Sequence, residues 1–334
     1  MKTKISFWLL AVVLSVFFAE AISGSTPAAF TSGNTPLILL IYGLHILVLG
    51  SLVFRSNPKR LFDSLFVAGV LFGFYEAYIT KVIWNPTWGE PIFSLGGVAL
   101  IETLMLVLWL HPIMSFIVPL ALSERFVLGG GEIGKGLSRA MPELFSSREH
   151  LLVTAFVLGT FHASVNVRLP EQIISDLGIS IAVVLAVLCG IFLLIHQRKS
   201  DFSEIVLSKS FGLFVFLLVL LYLALTFLLR PDALPGVLPQ IFVLLCYVFL
   251  GFVLKNLLSE KDWSKKTPDT LLPDLTKNVF PTLLAFLLGA LFLTQFPFFR
   301  PAVFVFVWGV GIILGIRNLF RAAVSHAKNK GFLG

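Results

Sequence analysis

Ten long apolar runs dominate the chain and leave few ways to fold it. Each run is close to the roughly 20 residues that an α-helix needs to cross about 30 Å of hydrocarbon. Because lipid offers no hydrogen-bond partner to a backbone, the runs must be helical. The sequence therefore predicts an all-α, polytopic transmembrane helical bundle of about ten spans. The predicted spans are 5–22, 37–54, 62–82, 95–122, 151–167, 174–195, 211–229, 237–254, 279–296 and 302–316.

The basic residues give these spans an orientation. Of the 25 Lys and Arg residues, 21 lie in alternate gaps between the runs. The other gaps hold Lys81, Arg168, Arg230 and Arg300. Since cytoplasmic loops carry the excess of Lys and Arg, both termini are predicted to be cytoplasmic in a multi-pass protein of the cell membrane. The net charge of +7 thus reflects topology, and nucleic acid is not a predicted partner.

Two features leave alternatives open. The first run is short and is followed by Ala19-Glu20-Ala21, so 1–21 could be a cleaved secretory signal or the first span. Residues 129–135, GGGEIGK, match phosphate-loop patterns by spelling. A membrane span precedes them and Gly136 follows the Lys, so the sequence predicts a Gly-rich cytoplasmic turn and no nucleotide site. No cofactor is predicted.

Ionisable residues inside the spans divide the chain into two halves. Residues 1–173 are predicted to form a five-helix half with an intramembrane polar site, and 174–334 a five-helix apolar scaffold that faces lipid. An ionised side chain inside a bilayer costs several kcal/mol unless it is paired or wetted, so each one is a functional candidate. The candidates are Glu20, His45, Glu76, Glu102, His111 and His162.

Four of these candidates are predicted to lie at one depth. At about 1.5 Å per residue, Glu20, Glu76, His111 and His162 are each about 21 to 24 Å from the nearest cytoplasmic basic residue. By the same count Glu102 lies at the outer interface, on the opposite side of its helix from His111. The sequence therefore predicts a Glu/His site towards the outer leaflet. Metal binding by Glu76, His111 and His162 stays an alternative to a metal-free site.

Two spans share one pattern of small and polar residues, at spacing i, i+4, i+7 and i+11. The first is Gly69, Gly73, Glu76 and Thr80, and the second is Ala155, Gly159, His162 and Asn166. Small residues one turn apart let helices approach closely, so we expect Glu76 and His162 to meet across such a contact.

The order of Glu76, then His111, then His162-x-x-x-Asn166 resembles the intramembrane CAAX prenyl protease and bacteriocin-processing family over 61–168. The family's paired glutamates are Tyr75-Glu76 here, so Tyr75 replaces the first Glu, and Thr80 stands at the position of its Arg. The segments FFAEAISGSTP and YEAYITKVIWNP also resemble stretches of uncharacterised prokaryotic multi-pass proteins.

The resemblance implies a metal-independent intramembrane hydrolase. Glu76 would deprotonate a water for attack on a peptide carbonyl, and His111 would hold that water. His162 and Asn166 would then donate to the developing oxyanion. The candidate substrate-binding residues are Glu20, Tyr75, Thr80 and Arg168. The partners are the lipid bilayer and a membrane-bound peptide, and the sequence does not specify an oligomeric state.

Two other functions fit the same residues. A proton- or cation-coupled secondary transporter would use Glu20 and Glu76 as ion sites, and a five-plus-five arrangement inverts topology between its halves. A non-catalytic membrane scaffold would use the polar cluster only to fix helix packing. The distances among the acidic and imidazole side chains separate these interpretations.

Overall fold

A computed structural model describes residues 1–26, 28–165, 170–194, 202–260 and 275–329. The long helices are α1 (Lys2–Val16), α2 (Thr35–Ser56), α3 (Leu61–Gly73), α9 (Arg148–Val165), α10 (Pro170–Leu194), α11 (Phe211–Leu228), α12 (Val237–Ser259), α13 (Leu275–Gln295) and α14 (Arg300–Asn329). The short ones are α4 (Tyr75–Tyr78), α5 (Leu100–Met105), α6 (Val118–Ser123), α7 (Glu132–Ala140) and α8 (Pro142–Phe145). A two-residue hairpin pairs β1 (Ser94–Leu95) with β2 (Val98–Ala99).

Three further helical segments in the described part of the chain have the wider π-helical geometry. They are Phe17–Ile22, Leu106–Ile117 and Glu124–Leu128. The middle one contains Pro112, which has no N–H to donate and would clash with the preceding turn of an α-helix. A π-helical stretch relieves that conflict, and such stretches often occur at functional sites.

The all-α prediction is confirmed. In the described residues, eight helices are long and apolar enough to cross a membrane. The predicted spans 151–167 and 279–296 also contain helices, α9 and α13, which are not among these eight. Helix α9 begins with the three ionisable residues Arg148-Glu149-His150.

Burial differs sharply between the early and the late spanning helices. The apolar windows of Lys2–Ile22, Leu61–Tyr78 and Leu100–Leu128 are 78%, 78% and 83% buried inside the protein. Those of Phe211–Leu228 and Val237–Ser259 are only 6% and 22% buried. The apolar surfaces of the late helices are therefore available to lipid, as expected of helices that carry almost no charge.

The chain forms two compact units from interleaved segments. Unit 1 comprises Met1–Gly43, Ile117–Ile205 and Lys265–Val310, and unit 2 comprises Leu44–Phe116, Val206–Ser264 and Gly311–Gly334. Both units draw on the early and the late part of the sequence. The sequential division into 1–173 and 174–334 stays a prediction about where the polar site lies.

In unit 1, a glycine contact joins α9 to α13. A Cβ added to Gly159 would overlap the backbone of Phe286, and one added to Gly289 would overlap the backbone of Phe156. Helices approach this closely only where neither carries a side chain. The small-residue stripe of α9 therefore has α13 as its partner.

In unit 2, two glycine stripes pack against the π-helical segment Leu106–Ile117. A Cβ on Gly69 of α3 would lie 2.5 Å from the Pro112 Cα, and one on Gly73 would lie 2.9 Å from the Val107 Cα. Gly311 and Gly315 of α14 meet the same segment at Trp109 and Leu108. The stripe that leads to Glu76 thus packs against the helix that carries His111. Each of the two glycine stripes therefore has a close partner within its own unit.

Candidate functional site

Glu76 lies just after a break in its helix. Helix α3 ends at Gly73, and Phe74 has φ −70° and ψ −3°, outside regular α-helical geometry. The chain then makes the single turn Tyr75–Tyr78, in which the Ala77 N–H donates to the Phe74 carbonyl over 3.0 Å. Because Gly73 carries no side chain, the break lies directly against the helix of His111.

Glu76 and His111 form a buried hydrogen-bonded pair. The distance from His111 Nε2 to Glu76 Oε1 is 2.9 Å, and the two residues are only 0% and 6% exposed. Thr80 Oγ1 donates to the other carboxylate oxygen, Glu76 Oε2. Ser115 Oγ lies 3.3 Å from His111 Nδ1, one turn further along the same helix. Thr80, Glu76, His111 and Ser115 therefore form one hydrogen-bonded row of four polar side chains, with a hydroxyl at each end.

This hydrogen-bonded row of side chains can accept or lose one proton without breaking a hydrogen bond. When His111 is neutral with its hydrogen on Nε2, it donates to Glu76 and accepts the Ser115 hydroxyl hydrogen at Nδ1. When His111 is protonated, Nδ1–H donates to Ser115 Oγ instead, because a hydroxyl can both donate and accept. A buried polar group without a partner costs about 1 to 3 kcal/mol, and neither state incurs that cost here.

Aromatic rings surround the imidazole of His111. The Tyr75 ring meets it edge-on at a centroid distance of 4.9 Å, and the Phe72 ring lies 5.4 Å away. Phe116 packs against Phe72 at 6.2 Å. Such apolar surroundings strengthen the electrostatic interactions within the pair. Tyr75 and Thr80, predicted to bind substrate, thus directly contact His111 and Glu76.

A second polar cluster in unit 2 contains His45, Tyr222 and Tyr247. The distance from His45 Nε2 to the Tyr222 hydroxyl is 3.0 Å, and the Tyr222 and Tyr247 hydroxyls are 3.4 Å apart. Both tyrosines come from late helices that the sequence suggests are purely apolar. The composition could have drawn attention to these two residues, because only five tyrosines occur in the whole chain. Among them, Tyr42 donates to Glu20, and Tyr78 donates to the Gln240 carbonyl.

Two cations join the segment after Glu76 to the end of α11. Lys81, which is fully buried and has φ +62°, donates from Nζ to the Leu225 carbonyl over 3.0 Å and to the Leu229 carbonyl. A cation at a helix C-terminus is favoured by the helix dipole. Arg230 donates to the Thr80 carbonyl over 3.0 Å and to the Asn85 carbonyl over 2.7 Å. Burial, with a smaller contribution from Arg230, lowers the pKa of Lys81.

The other predicted site residues lie in unit 1 or outside the described residues. Glu20 accepts a 2.7 Å hydrogen bond from the Tyr42 hydroxyl, and His162 Nδ1 lies 3.3 Å from the Ile22 carbonyl. Both residues are buried and belong to unit 1, whereas Glu76 and His111 belong to unit 2. Asn166 and Arg168 lie outside the described residues. Within unit 2, Glu76 therefore pairs with His111. Within unit 1, His162 lies against the end of the π-helical segment Phe17–Ile22 that carries Glu20.

Glu124 is a buried acid that the sequence did not single out. Its Oε1 accepts the Glu132 N–H over 2.7 Å and its Oε2 accepts the Ile133 N–H over 2.9 Å. The carboxylate thus caps the N-terminus of α7, where backbone N–H groups favour a negative charge. A Cβ on Gly130 would lie 2.6 Å from Glu124 Oε1. The GGGEIGK segment therefore surrounds a carboxylate of its own chain.

Glu102 has a local structural contact, and the described residues form no metal-binding cluster. Glu102 is fully buried and its Oε1 accepts the Ile92 N–H over 2.7 Å, so it holds the loop that precedes its own helix. Within the described ranges, no group of three or more His, Cys, Asp or Glu side chains could hold a metal ion. The three π-helical segments carry the buried ionisable residues Glu20, His111 and Glu124.

Comparison with known proteins places the chain among membrane proteins. A protein of Archaeoglobus fulgidus described as "Uncharacterized protein" is 33% identical over 263 residues, which is 78% of this chain and 81% of the relative. No solved structure matches the chain. These comparisons do not support the resemblance to the CAAX prenyl protease family. Residues 9–327 match the family described as "Uncharacterized membrane protein family", and the chain, a multi-pass membrane protein, belongs to that family.

Proposed function

We propose that the chain is a proton-coupled membrane transporter in which the Glu76–His111 pair binds and releases the proton. The observation that carries the proposal is the hydroxyl at each end of the pair. Thr80 satisfies the carboxylate, and Ser115 can reverse its hydrogen bond to His111 when the imidazole changes charge. A proton relay would explain why ionisable side chains are present inside the bilayer, where burying them costs free energy.

Burial favours transport over peptide hydrolysis. Glu76 is 6% exposed, while His111 and Ser115 are not exposed at all. A proton reaches such groups along hydrogen bonds, whereas a peptide carbonyl and an attacking water must lie within hydrogen-bond distance of the catalytic side chains. Phe72 and Tyr75 occupy the space beside the imidazole. The proposed cycle therefore requires only a proton at this pair, with the transported solute elsewhere.

A hydrolase is the second candidate, and one observation favours it. Ser115, His111 and Glu76 follow the order of a nucleophile, a general base and an orienting acid, with distances of 3.3 Å and 2.9 Å. This version uses Ser115 as the nucleophile, in place of a water activated by Glu76. It predicts covalent labelling of Ser115 by a fluorophosphonate probe, lost in Ser115→Ala. The transport proposal predicts that the probe labels neither the wild type nor Ser115→Ala.

Proton movement can be measured before the solute is known. Purified protein is reconstituted in liposomes on a solid-supported membrane, and a step from about pH 8 to about pH 5 spans the range in which histidine changes charge. We expect a transient current in the wild type that is lost in Glu76→Gln and in His111→Gln. Glu90→Gln is the matched control, since Glu90 is exposed.

Three results would overturn the proposal. The first is an unchanged current in Glu76→Gln, and the second is the absence of any current in well-folded wild-type protein. The third is labelling of Ser115, which would assign the pair to hydrolysis. Reduced thermal stability of Glu76→Gln without any wild-type current would instead identify a packing role, as in the scaffold interpretation.

A further inference from the structure

We propose that His45 is a second proton-binding site in unit 2, in contact with the same two rings, Phe72 and Tyr75, that pack against His111 of the Glu76–His111 pair. The inference rests on the proposed function and extends it from one proton site to two successive ones. The hydrogen bonds of His45, the packing of the two rings and the depth of each residue in the membrane support it independently.

The hydrogen bonds of His45 repeat the arrangement around His111. Tyr222 can donate its hydroxyl hydrogen to a neutral Nε2, 3.0 Å away, or accept from Nε2–H once His45 is protonated. In the second state Tyr222 keeps its own hydrogen and turns it towards the Tyr247 hydroxyl, 3.4 Å away. The net change is one proton gained by the imidazole and one lost by the Glu76–His111 pair. Both tyrosines stay neutral throughout.

Phe72 and Tyr75 lie against both imidazoles. His45 stacks on Phe72 at a centroid distance of 4.7 Å and an interplanar angle of 15°, and it lies 5.5 Å from the Tyr75 ring. The same two rings contact His111 at 5.4 Å and 4.9 Å. The two imidazole centroids are therefore no more than about 10 Å apart. Phe72 and Tyr75 thus belong to the surroundings of both sites.

The depth of each residue agrees with this order. At about 1.5 Å per residue, His45 lies about 15 Å from Arg55, at the predicted cytoplasmic end of its helix. Phe72 and Glu76 lie about 18 Å and about 24 Å from Arg60 at the same end. Along the membrane normal, Phe72 thus lies between the inner His45 and the outer Glu76.

Charged and titratable groups around His45 come from each helix packed on it. Tyr75 faces it from α4, and Tyr222 faces it from α11. Tyr247 of α12 contacts Tyr222, and the negative charge of Glu76 acts on the Tyr222 hydroxyl. A proton bound at His45 is therefore attracted by Glu76 once the outer pair has released it.

The displaced charge tests the second site. Across about 30 Å of hydrocarbon, a proton that enters from the outer side crosses about 20% of the thickness to reach Glu76 and about 50% to reach His45. We expect His45→Gln to reduce the charge moved after an outside pH step to less than half of the wild-type value. We expect Tyr222→Phe, which keeps the ring and removes only the hydroxyl, to produce the same reduction.

The ring of Phe72 has its own test. Phe72→Leu keeps an apolar side chain but removes the ring that lies between the two sites in depth, and we expect it to speed the decay of the current several-fold. Phe66→Leu on the same helix is the matched control, because Phe66 is also buried and its ring stacks on Phe62. It should leave the time course unchanged.

The outcomes separate the two proposals. Loss of current in Glu76→Gln with full wild-type charge in both His45→Gln and Tyr222→Phe would overturn the second site and leave the first in place. Current that survives Glu76→Gln would overturn the proposed function itself. If His45→Gln fails to fold, the isosteric Tyr222→Phe decides the question alone.

Discussion

Gly69 offers a quantitative test of the contact that positions His111. In Gly69→Ala the new Cβ would lie 2.5 Å from the Pro112 Cα and 2.9 Å from its Cβ, whereas ordinary contacts begin at about 3.4 Å. The two helices must separate by about 1 Å, and both overlapping partners belong to a rigid proline. Overpacking of this kind costs about 1 to 3 kcal/mol, while Ala improves helix propensity by about 1 kcal/mol. The net expectation is a loss of stability of up to about 2 kcal/mol.

A control glycine reverses the sign of the effect. Gly251 lies inside α12, and nothing is within 4 Å of an added Cβ there. Gly251→Ala therefore gains helix propensity without overlap, and should raise stability by about 0.5 to 1 kcal/mol. Thermal unfolding of both variants in the same detergent, followed by circular dichroism, gives the comparison. Equal shifts of the same sign in the two variants would refute the close contact between α3 and the helix of His111.

Three further changes test neighbouring parts of the structure. Thr80→Val removes the hydroxyl that donates to Glu76, so unfolding should become easier by about 1 to 3 kcal/mol, measured by thermal unfolding. Glu124→Gln leaves one of the two α7 N–H groups facing an amide NH₂, and we expect a loss of about 1 to 2 kcal/mol in the same assay. Burial and Arg230 lower the pKa of Lys81 below 10.5, so the unfolded chain binds this proton more tightly. Stability should therefore rise with pH from the folded pKa to about 10.5, and Lys81→Met should remove that part of the pH dependence.

The helical architecture could be predicted because lipid restricts the backbone so strongly. Long apolar runs with few charges leave helix as the available structure, and each predicted run contains a helix. The sequence could not decide whether every run crosses the membrane, since α9, for example, starts with Arg148-Glu149-His150 and is not among the eight described helices that are long and apolar enough. Length and hydropathy are weakest for such borderline segments.

The site was predictable in part. Glu76 and His111 come from neighbouring helices, and the Gly69–Gly73 stripe correctly indicated a close helix contact at Glu76. The stripe could not identify its partner, because small residues fit any helix that approaches, and the partner of Gly159 is α13. The meeting of Glu76 with His162 stays a prediction, because the two residues belong to different units.

The second cluster illustrates what periodicity leaves out. Tyr222 and Tyr247 sit in helices whose windows are almost wholly apolar, and a phenol ring adds little to a hydropathy profile. Their hydroxyls become informative only when a partner such as His45 is placed beside them by tertiary packing. The scarcity of tyrosine in so aromatic a chain is the feature of the sequence that points to them.

The loop around Glu124 has a consequence for how phosphate-loop spellings are interpreted. Its glycines leave room for an acidic oxygen, and the N–H groups at the start of α7 already hold one. A nucleotide phosphate would have to displace a covalently tethered competitor whose local concentration never falls. A segment can thus match the sequence pattern of a nucleotide-binding motif because its glycines accommodate a carboxylate of the same protein.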